Sequence, residues 1–228
     1  MGKRGNMINL QPGDRAATGY LALPTSGTGP GVLVLHAWWG LTDTFTQVCD
    51  RLADTGFVAF APDLYRGAQA TTIEEARALS SHLDADETRA TVTGAVADLR
   101  AHVAVRGDGV GVVGFSMGGS WALLLSALMP REIAAVVTFY GTEEADYAAA
   151  RAAFLGHFGE RDEWEPADAV RALEGQLRDA GRDVTVYLYP EAGHWFAEQD
   201  RPAVYDADAA HLAWERTVAF LRHALVEA

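Results

Sequence analysis

The segment Val110-Gly-Val-Val-Gly-Phe-Ser-Met-Gly-Gly119 decides the fold of this chain. Its first residues are short and apolar, as in a buried strand, and the residues after it continue as an apolar helical pattern. Between them, Gly114-Phe-Ser116-Met-Gly118 fits G-x-S-x-G, the nucleophile elbow, in which a sharp strand-to-helix turn exposes the serine hydroxyl. The motif predicts Ser116 as a nucleophile. The alternative is a helix-capping serine in a glycine-rich turn.

An overlapping pattern, Gly109-Val-Gly-Val-Val-Gly114, fits the G-x-G-x-x-G motif of dinucleotide sites, and Glu132 lies 18 residues beyond its last glycine. Such a site needs its glycines after the strand, where the pyrophosphate rests on the next helix N-terminus. Here the pattern starts in the polar turn 106–108, and its spacer residues are the strand itself. We therefore expect no nicotinamide site and no other cofactor.

Outside this segment, short apolar segments alternate with amphipathic ones. The predicted strands are Gly31–His36, Phe57–Ala61, Val110–Phe115, Ile133–Tyr140, Ala153–Phe158 and Val184–Tyr189. The predicted helices are Asp43–Thr55, Ile73–Leu83, Thr88–Val105, Ser116–Leu128, Pro166–Ala180 and Ala207–Val226. This alternation predicts an α/β fold with a parallel sheet covered by helices on both faces. With 228 residues and no linker, residues 1–228 are expected to form a single domain. Met7 is an alternative native start, in which case residues 1–6 are foreign to the protein or disordered.

The composition excludes several classes of partner. There are 31 acidic and 18 basic residues, a net charge of −13, and such a surface repels nucleic acid and anionic membranes. No segment has the apolar length of a membrane span or the pattern of a secretory signal, so we expect a cytoplasmic protein. The single cysteine, Cys49, excludes a disulfide framework and a thiolate metal cluster.

A serine nucleophile needs a base and a group that orients the base, and in this architecture the acid precedes the histidine along the chain. Among seven histidines, His194 lies in the loop Glu191–Phe196, directly after the last predicted strand. Loops at the carboxyl ends of strands are where catalytic residues of open α/β sheets gather. His194 is therefore the predicted base, and the histidines in helical patterns are expected to be solvated or capping.

The acid is expected in the loop after Ala153–Phe158, which offers Glu160, Asp162 and Glu163. Spacing favours Asp162 but does not separate three acids this close. His157 lies beside these acids, which would also suit a metal site. No histidine pair at i, i+4 supports such a site, and no metal is expected.

An oxyanion hole in this architecture uses the backbone N–H after the nucleophile, here Met117, and a second N–H from the loop after the first long strand. That loop is His36-Ala-Trp-Trp-Gly-Leu41, so Trp38 or Ala37 would supply the second donor.

These segments together resemble the dienelactone hydrolase family of the α/β-hydrolase fold, from Gly31 to Leu225. The resemblance rests on 34–40 (VLHAWWG), 61–66 (APDLYR), 114–119 (GFSMGG), 139–141 (FYG), 159–162 (GERD) and 191–196 (EAGHWF). It implies an eight-stranded, mostly parallel sheet and a triad of Ser116, Asp162 and His194, with Asp162 preferred over its neighbours.

The chain departs from the family's namesakes at three positions. Ser116 stands where they have cysteine, Ala37 where they have a glutamate that contacts the resting thiol, and Glu198 where an arginine holds the substrate's carboxylate. Since ten of the thirteen excess negative charges also follow Gly114, the expected substrate is neutral or cationic. The residues expected to line its pocket are Trp39, Tyr65, Trp195, Phe196 and Glu198.

The sequence thus predicts a serine hydrolase that cleaves a small ester, lactone or thioester through an acyl-enzyme and acts as a monomer or weak homodimer. Acyl transfer to an acceptor other than water would use the same residues. The alternative from another class is a non-catalytic hydrolase-fold protein that binds a ligand or serves as a scaffold.

Overall fold

A computed structural model describes residues 4–9 and 18–227. The strands are β1 Gly5–Asn9, β2 Thr18–Ala22, β3 Gly29–Leu35, β4 Val58–Pro62, β5 Val105–Phe115, β6 Ile133–Phe139, β7 Ala153–Gly159 and β8 Val184–Tyr189. The helices are α1 Asp43–Asp54, α2 Ile73–Ser81, α3 Ala85–Ala101, α4 Met117–Leu128, α5 Ala167–Asp179 and α6 Ala207–Val226.

The strands form one eight-stranded sheet in the order β1-β2-β4-β3-β5-β6-β7-β8. The pairs β3–β4, β6–β7 and β7–β8 are parallel, whereas β1–β2 and β2–β4 are antiparallel. The predicted fold class, an eight-stranded and mostly parallel α/β sheet, is confirmed. The residue pattern alone had indicated six of the strands and missed the antiparallel pair β1 and β2.

Two compact units divide the chain, Met1–Val110 and Gly111–Ala228. The division falls inside strand β5 rather than in a linker. The expectation of a single domain stays a prediction.

In the first unit, β3 and β4 form a fully apolar strand pair, and α1 packs on both. Phe45, Cys49 and Leu52, which lie on one face of α1, have no exposed surface. Burial raises the pKa of the Cys49 thiol well above its usual value, so Cys49 stays a neutral core residue.

A buried tyrosine in β2 connects strand β1 to helix α1 by hydrogen bonds. The hydroxyl of Tyr20 in β2 donates to Asp50 of α1 at 2.8 Å and accepts the N–H of Gly5 at 3.0 Å. Gly5 and Asn6 pair with β2 in antiparallel register, so the disorder considered for residues 1–6 is wrong for these two. Residues 1–3 lie outside the described residues.

In the second unit, α4 packs on β6, and α6 packs on β6 and β7. Strand β5, which leads into this unit, begins at Val105 rather than at Val110, so the expected polar turn 106–108 belongs to the strand. All of Gly109–Gly114 is therefore strand. Across residues 4–9 and 18–227, no helix is long and apolar enough to cross a membrane.

Candidate active site

Ser116 occupies a strained turn between β5 and α4. Its φ of 50° and ψ of −117° are unfavourable for a residue with a side chain, and α4 begins at the next residue, Met117. A β-carbon at Gly114 would lie 2.7 Å from the amide nitrogen of Gly119 and would overlap the carbonyl oxygen of Gly118. Glycine at position 114 therefore allows the chain to fold back tightly, as expected for a nucleophile elbow.

The carboxyl end of β6 holds this turn in place. The Ser116 N–H donates to the carbonyl of Phe139 at 2.9 Å. Just beyond β6, a β-carbon at Gly141 would lie 2.5 Å from the Ser116 carbonyl oxygen, so only glycine allows this approach. The Thr138 hydroxyl donates to the Gly141 carbonyl at 2.7 Å and fixes the bend. The position of Ser116 thus depends on two neighbouring strand ends.

The structure brings together the three residues predicted as a triad. The Ser116 Oγ lies 2.8 Å from Nε2 of His194, and Nδ1 of His194 lies 2.7 Å from Oδ2 of Asp162. The Asp162 side chain has no exposed surface, and that of His194 is almost completely buried. Because a carboxylate only accepts hydrogen bonds, Nδ1 carries the proton and Nε2 accepts from the serine hydroxyl. This tautomer can take up the serine proton.

Asp162 is itself held by the loop after β7. Its Oδ1 accepts the N–H groups of Trp164 and Glu165 at 2.8 and 2.9 Å, which leaves Oδ2 to meet His194. The other two acids that the sequence left open, Glu160 and Glu163, are exposed. Among the three, Asp162 is the one that the structure hydrogen-bonds to His194.

The loop that carries His194 is joined to the loop that carries Asp162. The Arg161 N–H donates to the carbonyl of Ala192 at 2.9 Å, and the Glu160 N–H donates to the carbonyl of Tyr189 at 3.0 Å. Arg161 also forms an exposed ion pair with Glu191. Backbone bonds between the two loops thus fix the separation of His194 from its acid.

Aromatic rings surround the imidazole of His194. The ring centroids of Tyr140 and Trp195 lie 4.9 and 4.8 Å away, and that of Trp164 lies 6.2 Å away. Tyr140 and Trp195 both have positive φ, of 41° and 62°. The Tyr140 hydroxyl donates to Oε1 of Glu198 at 3.1 Å. Neither Tyr140 nor Trp164 was predicted as a site residue.

Glu165 is a further carboxylate near the site that the sequence did not single out. Its Oε2 accepts the hydroxyl hydrogen bond of Thr142 at 2.7 Å. Desolvation is the largest influence on its pKa, which is raised, and the charges of His194 and Asp162 act on it in opposite directions.

The residues predicted to line a substrate pocket are largely buried. Phe196 has no exposed surface, as is usual for a core residue. Its ring centroid lies 5.5 Å from that of Tyr140 and 5.0 Å from that of Tyr189. Glu198 also has no exposed surface, so it does not present its carboxylate on an accessible wall. Trp195 is buried beside His194. In the first unit, Trp39 and Tyr65 are buried as well.

The loop predicted to carry the second oxyanion donor has its own support within the first unit. Nδ1 of His36 lies 2.6 Å from the carbonyl of Ala37, and its Nε2 accepts the N–H of Leu64 at 3.2 Å. Burial lowers the pKa of His36, so the ring stays neutral and keeps this tautomer. Trp38 follows on this loop, and Met117 is the first residue of α4 in the other unit. That their N–H groups share one oxyanion stays a prediction.

The arrangement around Ser116 has the parts of a nucleophilic catalyst: a strained serine, a base and a buried acid that sets the tautomer of the base. Among residues 4–9 and 18–227, no group of three or more His, Cys, Asp or Glu side chains is placed to hold a metal ion.

Comparison with known proteins identifies the chain's relatives. The model of the dienelactone hydrolase family matches residues 17–225. The usf protein of Aquifex pyrophilus is 34% identical over 230 residues, which cover 97% of this chain and 99% of the relative. A protein of Aquifex aeolicus, provisionally named a carboxymethylenebutenolidase, is 32% identical over 96% of this chain and 98% of its own. The crystal structure of a dienelactone hydrolase-like promiscuous phosphotriesterase from metagenomic libraries is 25% identical and has a TM-score of 0.85, covering 97% of this chain and 98% of that one.

Proposed function

Because the chain belongs to the dienelactone hydrolase family and is a hydrolase of esters or lactones, we propose a mechanism for this activity. In it, Ser116 attacks the carbonyl carbon of the substrate and forms an acyl-enzyme. The hydrogen-bonded series from Ser116 through His194 to Asp162 is the observation that carries the proposal. The family match alone leaves the nucleophile open, whereas this geometry supports serine.

In the proposed reaction, Nε2 of His194 accepts the proton of Ser116 as the oxygen attacks, and then returns it to the leaving alcohol or thiol. Asp162 holds the Nδ1 proton and stabilises the imidazolium that forms between the two transfers. Water, activated by the same nitrogen, then hydrolyses the acyl-enzyme. Two backbone N–H groups, predicted as those of Met117 and Trp38, would bind the oxyanion, and each such donor contributes about 3–4 kcal/mol.

We propose a neutral or cationic substrate. Position 198, where the resemblance implies a carboxylate-binding arginine, holds a glutamate that is engaged by Tyr140. This buried acidic side chain supplies no cation for a substrate carboxylate. The excess of negative charge in the second half of the sequence further disfavours an anion. The cytoplasmic location and the oligomeric state stay predictions.

The proposal is tested by treating the protein with a fluorophosphonate probe and mapping the adduct by mass spectrometry. An activated serine is expected to react, with the label on Ser116 and on none of the other serines. A protein that stays unlabelled and turns over no ester or lactone would instead fit the non-catalytic scaffold. A panel of ester and lactone pairs that differ only in a carboxylate or an ammonium group then tests the charge preference.

A further inference from the structure

The buried pair of Tyr140 and Glu198 has no role in the reaction proposed above. Both side chains have no exposed surface, and the Tyr140 hydroxyl donates to Oε1 of Glu198 at 3.1 Å. Tyr140 directly follows β6 and has a φ of 41°, a backbone conformation that is unfavourable for a bulky residue. Backbone strain of this kind persists only where several contacts impose it. Here the Tyr140 N–H donates to the carbonyl of His157 at 2.8 Å, and the hydroxyl is held by Glu198.

This strained conformation places the Tyr140 ring against the imidazole of His194. The two ring centroids are 4.9 Å apart and the rings are tilted by 57°. An aromatic ring at this distance attracts a cation, and the attraction is strongest where water is excluded. The proposed reaction turns this imidazole into a cation twice, once in each half of the cycle. The ring therefore lies where it can stabilise that cation.

Glu198 strengthens this effect through the phenol. Its side chain accepts the hydrogen bond of the Tyr140 hydroxyl and draws the phenolic proton toward itself, which increases the electron density of the ring that faces His194. Burial, followed by the charge of Glu198, raises the pKa of Tyr140 well above its ordinary value. The phenol therefore keeps its proton and stays a donor.

We propose that Tyr140 and Glu198 are positioning residues for His194, which hold its imidazole in line with Ser116 and stabilise its protonated form. This inference rests on the proposed function, in which His194 is the base. It also gives Glu198 a role other than contact with the substrate.

Other charged groups from the surrounding elements act on His194 or on Tyr140. Asp162 and Glu165 lie in the loop between β7 and α5, and the charge of Asp200, in the segment before α6, acts on Tyr140. These groups are the same in the wild-type protein and in variants of the pair. Differences between such proteins therefore report on Tyr140 and Glu198.

The test uses Tyr140→Phe, Glu198→Gln and the double variant of the full chain. The matched control is Tyr147→Phe, which also removes a buried hydroxyl, one that donates to the carbonyl of Glu143 at 2.7 Å. NMR titration of the His194 ring is expected to give a pKa lower by about half a unit to one unit in both single variants. With a p-nitrophenyl ester, kcat is expected to fall about 3- to 10-fold while KM stays within about 2-fold. The double variant is expected to lose no more activity than the less active of the two single variants, because the two residues act as one unit.

An unchanged His194 titration in folded Tyr140→Phe protein would overturn the inference, and so would an increase in KM at constant kcat, which would make Glu198 a substrate contact. If Glu198→Gln does not fold, Tyr140→Phe and its control decide alone. The titration needs no substrate. If the wild-type protein hydrolyses nothing, the proposed function fails while the pair is still tested.

Discussion

Asp162→Asn is expected to abolish most of the activity without unfolding the protein. Asp162 Oδ1 accepts two backbone N–H groups, at 2.8 and 2.9 Å, and Oδ2 faces Nδ1 of His194 at 2.7 Å. In the asparagine, the carbonyl oxygen must replace Oδ1, because only an acceptor satisfies two donors. The amide group then donates to Nδ1, the imidazole carries its proton on Nε2, and it cannot accept the proton of Ser116.

The size of the effect follows from two losses. Removing one partner of a buried ion pair costs about 3–5 kcal/mol, which here is the stabilisation of the imidazolium by Asp162. Since each 1.36 kcal/mol is tenfold in rate, this alone lowers kcat by about 10²- to 10⁴-fold. The equivalent change in a serine protease, which also produces the wrong tautomer, lowers kcat about 10⁴-fold in total. We therefore expect a loss of about 10³- to 10⁴-fold in the hydrolysis of p-nitrophenyl butyrate.

Glu160→Gln and Glu163→Gln are the matched controls, because these exposed acids flank Asp162 in the same loop. Both are expected to keep activity within about 2-fold, as surface changes usually do. Circular dichroism and thermal melts confirm that each variant is folded. An Asp162→Asn protein with more than a tenth of the wild-type kcat would refute the assignment, as would an equal loss in either control.

Two further predictions concern stability. Gly114→Ala is expected to lower the free energy of unfolding by roughly 2–3 kcal/mol and to abolish activity, because its β-carbon overlaps Gly118 at the elbow. Gly94→Ala in α3, where a β-carbon meets open space, is expected to raise the free energy of unfolding by about 0.5–1 kcal/mol. Urea unfolding measures the change in both variants. If the two substitutions changed the free energy of unfolding equally, the overlap at Gly114 would be contradicted. The second concerns His157, whose pKa burial lowers from 6.5 to about 3, so below pH about 6.5 the unfolded chain binds a proton that the folded chain refuses. From pH 7.5 to 5 the wild-type protein is expected to lose about 2 kcal/mol of stability more than His157→Gln, and parallel pH dependences would show that His157 is not the cause.

The strands and helices that the sequence predicted are those with long, strongly apolar patterns. Strand β1 was missed because most of its residues are exposed and form no apolar pattern, and its partner β2 was missed with it. Their place depends on antiparallel pairing with each other and with β4, which local patterns do not encode. Helix α3 begins at Ala85, three residues before the prediction, because the Asp84 side chain caps it through the N–H of Glu87.

The residues of the site likewise fall into those that the sequence predicts and those that only the structure shows. Ser116 and His194 follow from motif and chain order, and the choice of Asp162 needed the family resemblance. Tyr140 and Glu198, in contrast, are 58 residues apart, and their hydrogen bond depends on a left-handed residue that no motif marks. Glu198 was predicted on a pocket wall because its position in the sequence does not show that the side chain is buried.

The central claim is that Ser116 is an activated nucleophile, and turnover by Ser116→Ala tests it most directly. Ser126→Ala is the control, because it removes a buried hydroxyl that donates only within α4, to the carbonyl of Leu123. Hydrolysis of p-nitrophenyl butyrate by Ser116→Ala is expected to fall by roughly 10⁴-fold or more, as losses of triad members do, while the control keeps its activity. A folded Ser116→Ala protein that retained half of the wild-type kcat would contradict the account.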